Sequence, residues 1–286
     1  MNKTMKKRKN SNSLLNRLIS VGMVLLSLVY VYPFVMVLLN SFKKKIYISR
    51  MPFALPDAKT CAGIANYQTG IARTDFPMAM LYSTMITVLS VLAILLFTSM
   101  CAWYLSRVRN RATRLLYRLF ILSMVVPFQM VMFTLSKIAN VLRLNTPIGI
   151  VPVYLGFGAG LAVFLFSGYM KSVPVAMEES AMIDGAKPLR VFFSVVLPIL
   201  QPCFVSVGIL QAMWIWNDYL LPYLVLDLKR YKTIPIAVQY LKGGYGSVDM
   251  GAMMAMLVLA ILPIVVVYLV CQKYIVFGVM AGAVKG

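Results

Sequence analysis

The stretch "AMEESAMIDGAKPLRVFFSVVLPILQP" (176–202) carries Glu178, Glu179 and Asp184, three of the eight acidic residues in a chain of 286. Pro174 suits the first turn of a helix, because its missing N–H is an orphan there in any case. The spacing therefore predicts a short helix over 175–183, with Glu178 and Glu179 in early turns where the helix dipole favours negative charge. Asp184 and Gly185 end it, glycine taking the left-handed cap without steric cost. Pro188 opens a second helix in which Leu189, Phe192, Phe193 and Val196 fall on one apolar face. Ala181 and Ala186 keep the elbow between the helices small. On these residues alone the block reads equally as a docking element for another protein or as a well-capped connector.

Outward from this block the chain turns apolar. Hydrophobic residues make up 61% of it and charged residues 13%, against about 25% charged in an ordinary soluble domain. A membrane-crossing helix needs about 20 apolar residues. Charge-free windows of that order run over Leu18–Phe42, Phe76–Ser106, Leu119–Ser136, Leu144–Met170, Val191–Asn217 and Met250–Gln272. They predict an all-α integral membrane protein with six spans over 18–273, the polar block (171–198) lying between spans four and five. The first window is too long for a signal-peptide core and reads as a retained anchor. The basic segment 1–17 reads as disordered up to Leu14, and 274–286 as a short tail.

A net charge of +20 invites a nucleic-acid reading, but basic residues flanking apolar spans are the ordinary membrane pattern, and no nucleic-acid partner is expected. With both termini inside, 16 Lys/Arg fall on the cytoplasmic side and 12 outside. The bias is in the expected direction, although "KKK" (43–45) opposes it. The chain has no histidine, which removes Ser-His-Asp and Cys-His catalysis and His-based zinc sites. No G-x-x-x-x-G-K-[ST] loop is present, so the chain is not expected to hydrolyse ATP, and no cofactor or metal is expected on it.

Two further features stand out. "GFGAG" (156–160) lies inside an apolar window with no strand before it and reads as a small-residue packing face through Gly156 and Gly160. Asp218, in "IWNDYLLPYLVL" (215–226), follows a span directly, and an acid at membrane depth is a functional candidate by default. With Trp214, Trp216, Asn217 and Tyr219 it offers aromatic faces and hydrogen-bonding groups of the kind sugars need. The alternative is an aspartate at the membrane edge beside an interfacial aromatic belt.

The polar block resembles the cytoplasmic coupling loop of binding-protein-dependent ABC-importer permeases, whose pattern E-A-A-x-x-x-G is followed by I-x-L-P. Here it stands as Glu179-Ser180-Ala181-Met182-Ile183-Asp184-Gly185, then Val195-Val196-Leu197-Pro198. "MPFALP" (51–56), "NY" (66–67), "IWNDYLLPYLVL", "TIPIAVQYLKGGYGSVDMGAMMAM" (233–256) and the C-terminal "GVMAGAVKG" resemble the maltose-type carbohydrate branch, on the side of its smaller six-span permease.

That resemblance implies a type I importer permease in a bacterial plasma membrane with both termini cytoplasmic. It implies ATP and Mg on a partner ATPase dimer, a second permease subunit, and an extracellular or periplasmic sugar-binding protein. Glu178, Glu179, Ala181, Met182, Ile183, Asp184, Gly185 and Ala186 would couple to the ATPase. Trp214, Asn217, Asp218 and Tyr219 would line the carbohydrate pathway, and Gly243, Gly244 and Tyr245 would face the binding protein. A permease for a non-sugar solute is the nearest rival. An ion-coupled carrier is more distant, since it normally needs more intramembrane ionisable groups than Asp218 supplies.

Overall fold

In a computed structural model the backbone is described for residues 2–241 and 248–283, and the side chains for 15–241 and 248–272. The chain is built from helices α1 (Asn2–Ser41), α2 (Lys45–Arg50), α3 (Ala65–Thr74), α4 (Phe76–Arg107), α5 (Arg111–Val125), α6 (Phe128–Val141), α7 (Val151–Met170), α8 (Val175–Ile183), α9 (Pro188–Val191), α10 (Leu197–Ile199), α11 (Gln201–Asn217), α12 (Leu220–Val225), α13 (Ile234–Gln239) and α14 (Met250–Ala283). A π-helical turn, Phe192–Val196, joins α9 to α10.

Leu15–Ser41, Phe76–Arg107, Val151–Met170 and Met250–Gln272 are each long and apolar enough to cross a membrane. The bent pairs α5–α6 and α9–α11 each pass the same test taken together, which brings the spans to six when each pair is one of them. The chain is a multi-pass membrane protein, and the six windows survive with altered ends. Span three begins at Arg111 rather than Leu119 because Asn110 and Thr113 form a reciprocal capping box: the Thr113 N–H donates to Asn110 Oδ1 (2.8 Å) and the Asn110 N–H to Thr113 Oγ1 (3.1 Å). Span four begins at Val151, after a turn over Thr146–Gly149. Helix also covers the basic segment expected to be disordered: α1 starts at Asn2, continuing the apolar helix through Lys and Arg, which are good helix formers.

Proline sets both bends. The α5–α6 pair turns by 104° where Val126 is extended, as the residue before Pro127 must be. Pro198 lacks the N–H that an α-helix would direct to Ser194, and its ring crowds that carbonyl. The chain widens there instead: the Leu197 N–H donates to Phe192 O, five residues back. At Leu200, just ahead of Pro202, the path turns by 80° into α11. The second helix of the polar block is therefore α9, a π turn and α10 in succession. Its apolar face divides accordingly, with Val191, Phe192 and Val196 buried and Leu189 and Phe193 exposed.

The described residues group into two compact units, one within Met1–Arg73 and Leu241–Ala260, the other within Thr74–Tyr240 and Ile261–Gly286. In the first, the "NY" pair ties α3 to the end of α1. Asn66 Nδ2 donates to Ser41 O and Lys43 O (both 2.8 Å), and the Tyr67 hydroxyl lies 2.7 Å from Ser41 Oγ. Lys43 is 1% exposed and donates to Met51 O (3.0 Å) and Pro52 O (3.1 Å). Burial pushes its amine below the usual lysine value.

In the second unit α7 lies against α4, α5 and α11. Lipid is as apolar as a leucine side chain, so close packing rather than hydrophobicity holds such helices together. Gly158 and Gly160 provide it. A Cβ on Gly158 would sit 2.6 Å from Ile94 Cδ1, and one on Gly160 would sit 2.8 Å from Phe120 O. Gly156 meets nothing within 4 Å, and no shared 156/160 face forms: Gly158 fits against α4 and Gly160, about 200° round the helix, fits against α5.

Candidate coupling and translocation sites

The polar block folds into the predicted elbow. Gly185 has φ +83°, its N–H donates to Met182 O and the Ala186 N–H donates to Ala181 O, each at 3.0 Å. This pair of bonds is the Schellman closure, with small residues at both contact positions. Glu179, Met182, Ile183, Asp184 and Gly185 are exposed, Ile183 at 86%, and Ala181 and Ala186 are half-buried. An apolar tip, Met182 and Ile183, flanked by the acids Glu179 and Asp184 is thus presented to the surroundings.

Glu178 faces the other way. It is 3% exposed and accepts from Arg107 Nη2 at 2.6 Å, from Arg107 Nε at 3.1 Å, and from Trp103 Nε1 at 2.9 Å. The backbone cause is simple: successive helical residues point about 100° apart, so Glu178 and Glu179 cannot share a face. Glu178 holds α8 against α4, and Glu179 is left for the outside. Arg107 and Trp103 were not singled out from the sequence. Their spacing of four residues, which puts both on one side of α4, was the available signal.

The second cluster surrounds the break after α11. Asp218 is extended (φ −74°, ψ 122°). Its Oδ1 accepts the N–H groups of Leu220 (3.0 Å) and Leu221 (3.4 Å), which caps the start of α12. Its Oδ2 accepts the hydroxyl of the fully buried Tyr154 at 3.1 Å. The Tyr154 ring stands edge-on to Trp214, centroids 5.5 Å apart. Tyr219 stacks on Tyr223 at 5.2 Å. Trp214, Asn217 and Tyr223 are exposed, Asn217 bonding back to Met213 O. The four pathway candidates are thus close together, with the carboxylate committed to the fold and the aromatic faces open.

An apolar cleft of about 500 Å³ beside the α5–α6 bend, with Val126, Leu135, Pro152, Gly156 and Phe157 in its wall, contains none of them. Gly243, Gly244 and Tyr245 lie outside the described residues.

The chain is similar to known proteins over most of its length. The chain is 37% identical over 262 residues to a probable starch degradation products transport system permease protein of Thermoanaerobacterium thermosulfurigenes, covering 92% of this chain and 94% of that one. It is 35% identical to a multiple sugar-binding transport system permease protein of Streptococcus mutans, covering 94% and 95%. Among solved structures, one chain of a bacterial ABC transporter involved in the import of the acidic polysaccharide alginate superimposes with a TM-score of 0.77 at 21% identity, covering 92% and 97%. Residues 96–280, which include both clusters, match the family of binding-protein-dependent transport system inner membrane components, and the chain belongs to that family.

Proposed function

We propose that the chain is a permease subunit of an ATP-driven importer of carbohydrate, with oligosaccharides as the substrate class. The observation that carries the coupling half of this reading is the elbow, whose exposed tip at Glu179, Met182, Ile183 and Asp184 stands on a helix fastened from behind by Arg107. Such a tip suits a groove on a cytoplasmic ATPase dimer, which would hold the ATP and Mg. Closure of that dimer pushes the tip, and rigid-body movement of the attached spans switches the pathway between its two openings.

Support for the carbohydrate half comes from the relatives named for starch degradation products and multiple sugars, together with the exposed faces of Trp214 and Tyr223. A second permease subunit would complete the pathway, and a sugar-binding protein would deliver substrate near Gly243, Gly244 and Tyr245. The N-terminus and the 274–286 tail would lie in the cytoplasm.

The test is uptake into proteoliposomes holding the whole complex and its binding protein, with labelled α-glucan, α-galactoside and arabinan oligosaccharides. ATP-dependent accumulation of one of them is expected. Uptake that follows a proton gradient and ignores ATP would overturn the importer, and ATP-driven uptake of a non-sugar solute alone would overturn the carbohydrate assignment.

A further inference from the structure

The last turn of α4 holds three successive parts of the polar block at once. Arg107 Nη2 donates to Val173 O (3.0 Å) in the approach to α8. Arg107 and Trp103 together bind the Glu178 carboxylate within α8. The Trp103 ring lies 5.6 Å from that of Phe192, a fully buried residue of the return arm formed by α9, the π turn and α10. A loop fixed only at its chain ends could bend at Pro174 and Leu200 without disturbing anything else. This one is pinned at three points to a span that is its neighbour in space but not in sequence: a backbone bond at Val173, a bidentate ion pair at the buried Glu178, and a ring contact at Phe192.

We infer that Arg107 and Trp103 are positioning residues for coupling: they join α8, the return arm and α4 into one lever, so that a push on the exposed tip moves span α4 rather than dissipating in the loop. The inference rests on the importer reading above. A merely structural ion pair and a force-transmitting one differ in one respect. When both charges are removed together, no unpaired buried charge remains and the fold recovers, but the stiff connection is still lost.

The complete complex is therefore prepared in proteoliposomes as wild type, Glu178→Gln, Arg107→Met and the double variant Arg107→Met/Glu178→Gln. Co-purification of the subunits, ATP hydrolysis stimulated by the binding protein, and uptake of the labelled oligosaccharides are measured. Arg107→Met, which strands the carboxylate, recovers the least complex, and the double variant recovers near wild-type amounts. Uptake per ATP hydrolysed falls about tenfold in both Glu178→Gln and the double variant. A double variant with wild-type assembly and wild-type uptake per ATP overturns the inference. Where the double variant does not assemble, the nearly isosteric Glu178→Gln carries the same test. If wild type shows no ATP-driven uptake, the importer reading has failed, and hydrogen exchange judges the clamp separately. Amides of 175–183 exchange about tenfold faster without the pair if it holds α8, and unchanged exchange overturns it.

Discussion

Glu178 and Asp218 each collect three donors, yet the two carboxylates are built into the molecule differently. Glu178 takes all of its donors from α4, two of them from a guanidinium. Asp218 takes two from the next turn of its own chain and one from Tyr154, all neutral. The first arrangement joins separate elements and neutralises the charge. The second closes a local break and leaves the charge without a salt-bridge partner among the described residues. A buried acid is thus informative through what supplies its donors, and not merely through its presence in an apolar chain.

The comparison is most exposed at Arg107. Replacing it with Met leaves Glu178 enclosed and unpaired, and loss of one partner from a buried pair costs about 3 to 5 kcal/mol. Thermal unfolding of the purified complex should show a clear loss, and an unchanged midpoint would mean that the pair is not closed to water in the assembly.

At Asp218 the donors are neutral and the effect is smaller. Asp218→Ala strands the Tyr154 hydroxyl and costs about 1 to 3 kcal/mol. Asp218→Asn keeps Oδ1 for the Leu220 and Leu221 N–H groups and reverses the contact with Tyr154, Nδ2 donating to the hydroxyl oxygen, and should leave stability and uptake close to wild type. Abolished uptake in a stable Asp218→Asn complex would instead assign the charge itself to the pathway.

Gly185 tests the exposed side of the elbow. Nothing lies within 4 Å of a Cβ there, so Gly185→Val is opposed only by the left-handed backbone, at about 1 to 2 kcal/mol. Gly185→Asn should behave nearly as wild type, while valine lowers ATP-dependent uptake at unchanged expression. Equal uptake in the two variants would remove the turn from coupling.

The smallest effect belongs to a third carboxylate with three donors, this one in open solvent. Asp57 accepts from Thr60 N (2.7 Å), Thr60 Oγ1 (2.8 Å) and Lys59 N (3.0 Å). The Thr60 N–H, and after it the Thr60 hydroxyl, hold its carboxyl below the usual range. A folded value below the unfolded one means that its contribution is fully present above the unfolded value, about 4. It is lost as pH falls through the folded value. Unfolding scans over that acid range should show a slightly shallower decline in Asp57→Asn than in wild type.

The elements of this fold that depend on neighbours in sequence were legible without coordinates. The Pro174 start, the Gly185 turn and the six apolar windows all follow from local chemistry. Features that depend on distant partners were not. Glu178 and Glu179 are indistinguishable as letters, and only the placement of Arg107, 71 residues earlier, separates the inward acid from the outward one. Tyr154 meets Asp218 across 64 residues, so the aspartate's role in closing the break was hidden behind its reading as a pathway group. Pro127 and Pro202 lie at the two bends, but the angles of 104° and 80° depend on what the flanking helices pack against.

The wide turn at Phe192–Val196 gives the return arm a property beyond stiffness. A π turn holds one residue more than the α-helix it interrupts, so the residues beyond it stand about 100° round from where an unbroken helix would set them. The π turn therefore fixes the angle at which the elbow meets span five, and closing it to an α-helix would turn the exposed tip about 100° away from any partner fitted to it.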